Sequence, residues 1–320
     1  MLFYNKLLYY NIFMTNRIQT YLLTLFFLVF LLISSANAEV KVVTSIKPIH
    51  SLVSYIMDGV GKPDVIVDGY NSPHGFSLKP SHAKMLENAD LVIWVGEDLE
   101  AFLEKPLQTI VKKAKNIELM DLKGIKKLEF REKNIFEEHD GHKEKDGHEG
   151  HGHGEHDPHV WLDPINAKVI IKEITNQLVQ LDSKNSSIYK SNSKKALTDI
   201  DKLVKDIKKE LNKDLKFVVF HDAYQYFENR FDIQVLGALT INTDVMPGAE
   251  QLSEIREVIE HEKINCLFSE PQFNPAIIKS IAKDTKIKTD ILDPLGAKLD
   301  KGMNLYFDLL KNMSSSFKGC

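Results

Sequence analysis

The segment Leu197-Thr198-Asp199-Ile200-Asp201-Lys202-Leu203-Val204-Lys205-Asp206-Ile207-Lys208-Lys209-Glu210-Leu211 decides the architecture. Leu197, Ile200, Val204, Ile207 and Leu211 recur at steps of three and four on a background of Lys and Asp, which is the period of one apolar stripe on a helix. Extended back to Ser187, the pattern predicts one long, solvent-facing amphipathic helix. On both sides of it, short β-branched runs alternate with helical patterns, the signature of parallel α/β units. The strand candidates before it are Val40 to Ser45, Asp64 to Val67, Asp90 to Val95 and Ile117 to Met120. Those after it are Phe217 to Phe220, Ile233 to Leu236, Asn265 to Phe268 and Lys288 to Leu292. A helix standing between two sets of four strands reads as a rigid connector. The expected fold is therefore α/β: two lobes at 39–183 and 213–320, each with a four-stranded, mainly parallel sheet, joined by a linker helix over 184–212.

The bulk numbers agree. A chain of 320 residues, 43% hydrophobic and 27% charged, has an ordinary soluble composition and is long enough for two cores. The formal charge of -4 becomes -6 without the first 38 residues, which carry only Lys6 and Arg17 and no acid. Nucleic acid is not an expected partner, because it calls for a clustered basic face.

Arg17, the apolar run Leu25 to Ile33, and Ser34-Ser35-Ala36-Asn37-Ala38 before Glu39 read as a Sec signal peptide over 1–38 with an A-x-A cleavage site. A membrane anchor fits less well: Leu22 to Ile33 is 12 residues, against the roughly 20 that span hydrocarbon. Met14 alone would start a leader of normal length, so residues 1–13 read as an upstream extension, and no cysteine stands at the cleavage site to carry a lipid. Export to the periplasm then bears on Cys266 and Cys320: in an oxidising compartment an even pair reads as one disulfide, with two separate thiols as the alternative.

Glu137 to His156 holds His139, His142, His148, His151, His153 and His156 among Gly, Asp, Glu and Lys, with no large apolar residue. Such a segment cannot bury a core and is expected to be a mobile loop that binds metal weakly. The remaining histidines differ in setting. His261 at a charged helix end and His82 at a helix start read as solvated or capping residues, while His50, after Lys47-Pro48-Ile49, is ambiguous. His74, His159 and His221 lie in Pro- and Gly-rich turns or at a strand end, where α/β folds build clefts. Three neutral imidazoles suit zinc, whereas manganese or iron sites draw on more carboxylate. Spacings of 85 and 62 residues match no compact motif, and each histidine taken singly reads equally well as a satisfied core residue.

Longer segments carry a resemblance. They are Pro73-His74-Gly75-Phe76-Ser77-Leu78-Lys79-Pro80-Ser81, Ala89 to Gly96, His159-Val160-Trp161-Leu162 after the His/Asp loop, Phe220-His221-Asp222-Ala223-Tyr224-Gln225-Tyr226-Phe227, Ser269-Glu270-Pro271-Gln272-Phe273 and Leu292-Asp293-Pro294-Leu295-Gly296. Together they resemble the zinc-uptake substrate-binding proteins of bacterial ABC transporters, the cluster A-I metal-binding family. The resemblance implies two α/β lobes on one rigid helix, Zn2+ as the transported ligand held between them by His74, His159 and His221, and a disulfide between Cys266 and Cys320. It implies a periplasmic monomer whose partner is an inner-membrane permease. Pro73 stands where some zinc members carry an acid, so the fourth ligand falls to Asp293, which matches the position used by many relatives, or to water.

Two other classes compete. Three histidines with an open fourth position also describe catalytic zinc, but no H-x-H or H-E-x-x-H element and no placed acid or base accompanies them, so no enzyme is expected. A periplasmic zinc buffer or metallochaperone, or an adhesin, would keep the site and lack the transporter.

Overall fold

In a computed structural model, residues 14, 21, 39–131, 133–134, 156–211, 215–241, 243 and 247–320 are described. The expected leader, apart from Met14 and Tyr21, and the His-rich segment up to residue 155 lie outside them. Residues Val40–Cys320 form one compact unit. No helix among the described residues is long and apolar enough to cross a membrane.

Each half begins with an apolar strand that pairs on both sides. β1 (Val42–Ile46) is buried at every position, as expected of a strand inside a parallel sheet. It leads without a loop into α1 (Lys47–Ile56), and pairs with β2 (Asp64–Val67) and β3 (Leu91–Trp94). Helices α2 (Pro80–Glu87) and α3 (Glu97–Thr109) flank β3, and β4 (Lys115–Glu118) closes the order β2-β1-β3-β4, all parallel. After the 3₁₀ turn Val160–Leu162 come α4 (Pro164–Leu181) and the long α5 (Ser186–Glu210). The second half repeats the topology: β5 (Lys216–His221), α6 (Gln225–Phe231), β6 (Gln234–Thr240), α7 (Ala249–His261), β7 (Cys266–Ser269), α8 (Ala276–Thr285) and β8 (Lys288–Ile291), in the parallel order β6-β5-β7-β8. The last helix, α9 (Leu305–Gly319), packs back on α1 and α5.

The two parallel four-stranded sheets are those expected, with shifts at the edges. β4 starts at Lys115 rather than Ile117, because an edge strand has one partner and its pairing ends with Trp94↔Glu118; Leu119 and Met120 enter the core after the strand. β6 runs to Thr240 rather than Leu236, through Gly237 and Ala238, whose composition hides the strand. The long helix is less solvent-facing than expected. Tyr189, Ala196, Ile200, Leu203 and Ile207 are buried, and the helix packs on α1, α4 and α9.

The described residues form two hydrophobic clusters, and the boundary between them runs through the second sheet. Phe217 and Val219 face the large cluster, which also takes in the first sheet, whereas Val218 and Phe220 face a small one closed by Ile255, Ile259, Ile278 and Ile281. Phe317 of α9 meets Phe217, Phe227 and Phe268, and the disulfide Cys266–Cys320 pins the end of that helix to β7.

Candidate metal centre

His221 ends β5. The apolar run Phe217 to Phe220 drives a central strand that pairs with β6 on one side and β7 on the other, so its C-terminal end opens at the switch point of the sheet. His74 comes from the turn after β2 and is half-buried, its backbone N–H donating to Ser72 Oγ at 3.3 Å. His159 sits in the turn before α4. One ring nitrogen from each lies within 4.8 Å of the other two, and the ring centroids are 5.0 to 5.6 Å apart. A tetrahedral zinc ion with nitrogens at 2.0 to 2.1 Å sets them about 3.3 Å apart, so a small inward shift completes the shell.

The rings are held from behind. Asp157 Oδ1 accepts from the His159 backbone N–H at 2.9 Å and lies 2.7 Å from its Nδ1, which turns Nε2 toward the cluster. Burial pushes the Asp157 carboxyl up to about 7, partly countered by the His159 N–H, and burial together with His221 holds the His159 imidazole well below its ordinary value. His221 Nδ1 lies 3.6 Å from Glu270 Oε1, which in turn accepts from the Tyr224 hydroxyl at 3.0 Å. Burial opposes charging His221, but Glu270, Asp222 and Asp157 outweigh it and raise its pKa. Arg131 spans the acids behind the site, at 2.9 Å from Asp222 Oδ1 and 2.6 Å from Glu228 Oε2.

The other expectations resolve as follows. Asp293 is not brought into the cluster. Its Oδ1 accepts from Gln272 Nε2 and the backbone N–H groups of Leu295 and Gly296, and its Oδ2 from that of Ala297. These bonds tie the 295–297 amides and Gln272 to one carboxylate. His82 caps α2, its Nδ1 accepting from the Lys79 N–H at 3.2 Å, and His261 ends α7 in solvent. His50 is a satisfied core residue, its Nε2 3.1 Å from Pro63 O. Of the His-rich segment only His156 is described, bridged to Glu129. Sequence reading did not single out Asp157, Glu270 and Gln272. Asp157 stands two residues before a candidate ligand, and Glu270-Pro271-Gln272 follows a strand end, the signal that would have found them.

Two parallel sheets of one strand order, with three histidines converging on a pocket also lined by Trp161, Glu270, Gln272, Phe273, Pro294 and Leu295, define a two-lobed α/β protein with a candidate metal centre. The chain belongs to the family described as zinc-uptake complex component A, periplasmic (ZnuA), whose model matches residues 42–320. It is 41% identical over 311 residues to the high-affinity zinc uptake system protein ZnuA of Brucella abortus, covering 90% of this chain and 93% of that one. Against the protein of the same name from Yersinia pestis the identity is 36% over 293 residues, covering 88% and 92%. Its fold is similar to that of a crystal structure of ZnuA, with a TM-score of 0.73 at 23% identity over 88% of this chain and 98% of that chain.

Proposed function

We propose that this protein captures Zn2+ in the periplasm and delivers it to the permease of an ABC importer. The observation that carries the reading is the convergence of His74, His159 and His221, drawn from both sides of α5, on one point. Family membership and relatives named for high-affinity zinc uptake support the metal and the transport role. The ligands are the three imidazoles, with solvent at the fourth vertex. The lobes are 39–183 and 213–320 with 184–212 between them, residues 1–38 are a cleaved leader, and the His-rich segment supplies weaker sites. The protein acts as a monomer and binds without turnover, a reading supported by the use of Asp157 and Glu270 against the His159 and His221 rings.

The test is zinc calorimetry on the exported protein with and without residues 137–156. One tight site that survives the deletion is expected, because a preorganised cluster needs less ordering than a histidine-rich loop. Loss of the tight event with the deletion would sink the assignment.

A further inference from the structure

Around the three imidazoles, the polar atoms of the pocket are mostly spoken for. Ser72 Oγ takes the His74 N–H and Glu270 Oε1 takes the Tyr224 hydroxyl, while outside the lining, next to Pro294, the two Asp293 oxygens take four N–H donors. Gln272, the third residue past β7, lines the same pocket and behaves differently. Its Nε2 donates to Asp293 Oδ1 at 3.0 Å, while its Oε1 is buried and accepts no hydrogen bond.

A carboxylate only accepts, so Asp293 dictates which end of the amide faces it, and the carbonyl oxygen is left on the other side. Buried acceptors are rarely left without a donor. Three histidines in turn leave a tetrahedral ion short of one ligand, and a water in that position has two hydrogens to donate.

We infer that Gln272 is a binding residue of the metal centre: its Oε1 accepts a hydrogen bond from the water that fills the fourth position, with Asp293 behind it as the positioning residue. This rests on the three-histidine reading above. It also gives Asp293 a role at the site other than the ligand role expected for it. A neutral amide on the water holds the ion without adding a negative charge, so departure of the ion breaks no carboxylate bond.

The test uses the purified protein, chelator competition for zinc, and the visible spectrum of the cobalt(II) form, with melting of the metal-free proteins as the check on folding. Gln272→Met is expected to weaken zinc about five- to tenfold, the size of one net hydrogen bond, and to move the cobalt bands while keeping four-coordinate intensity. Should that variant not fold, Gln272→Asn withdraws the same oxygen by one methylene and is expected to give the same loss. Unchanged affinity with superimposable cobalt spectra overturns the inference, and so does loss of four-coordinate intensity, which would mean that the amide binds the ion directly. His221→Ala separates the two levels: if it binds zinc like the wild type the three-histidine reading fails, and if it does not while Gln272→Met is silent, only the role of Gln272 fails.

Discussion

The two halves share one strand order, β2-β1-β3-β4 and β6-β5-β7-β8, yet they present their histidines in different ways. In the second half His221 is the last residue of a central strand, paired with Thr240, 3% exposed and backed by Glu270. In the first half His74 and His159 stand on turns, His159 buried and fixed by the Asp157 carboxylate and His74 half-buried. The second half thus supplies a fixed point on a strand, and the first supplies a buried donor backed by Asp157, His159, together with the half-buried His74. A site built this way meets the metal with His221 and His159 already placed and closes His74 on it.

The largest effect follows from removing the fixed point. His221→Ala is expected to weaken zinc by about a thousandfold or more, since a strand-held imidazole pays no ordering cost and its loss leaves two turn-borne donors. His74→Ala is expected to cost about a hundredfold, because the half-buried turn gives water access to the vacated vertex. Chelator competition on both variants decides. Equal losses would erase the distinction between fixed and adjustable donors.

Acidification should act through the same contrast. Zinc takes neutral imidazole, so protons compete. His159 is held well below 6.5 by burial and stays neutral through the physiological range, whereas His221 is raised above 6.5 once its neighbouring carboxylates outweigh burial, and charges first. Zinc affinity is therefore expected to fall on acidification, approaching about tenfold for each pH unit once the pH is below the raised His221 value. The sign is reversed for the metal-free protein: the contribution of charged His221 is full below 6.5 and lost as pH rises through its folded value. Affinity measured by competition at several pH values checks this; a flat profile down to pH 5.5 would remove His221 from the ligand set.

How much of this was legible in the sequence depends on what each feature is made of. The inner strands were found because β-branched runs state them directly, and the long helix because its period is stated by Ile200, Ile207 and their neighbours. The end of β6 was hidden by Gly237 and Ala238, residues that enter a strand only because β5 pairs with them. The buried stripe of α5 runs through Leu203 more than Val204, a choice made by the three helices packed on it. Among the histidines, the residues gave the chemistry and the resemblance gave the set, while the hydrogen bonds of Asp293 to the 295–297 amides depend on a loop shape that no pattern of side chains announces. Lys47 was passed over for the same reason, because its hydrogen-bond partners are all backbone carbonyls.

Lys47 gives the smallest and most local test of how the halves are joined. It opens α1, is 4% exposed, and donates to Gly296 O at 2.7 Å, Ala297 O at 3.2 Å and Leu299 O at 2.6 Å, so all three ammonium hydrogens are used on one loop of the second half. Asp293 holds the amides of that loop and Lys47 its carbonyls, and Gly296 adopts φ +70°, which a side chain would strain. The same loop gives Pro294 O to Trp161 Nε1 at 2.8 Å, so the first half grips it twice. Lys47→Met keeps the apolar stem and leaves three buried carbonyls without their donor, at a cost of about 2 kcal/mol, which lowers Tm by about 4 to 8 °C for a chain of this size. Zinc affinity should change less than about threefold if the ligands are the three histidines proposed, none of which sits on the loop. Lys168 is the control: its pair with Asp201, at 2.6 Å, is exposed, so Lys168→Met should move stability by less than about 0.5 kcal/mol. Thermal melts of the metal-free proteins set the two lysines side by side. If Lys47→Met melts with Lys168→Met, the Lys47 grip adds nothing to the other contacts between the halves; if it melts several degrees lower, the grip on the 293–299 loop is a separate joint that persists without metal.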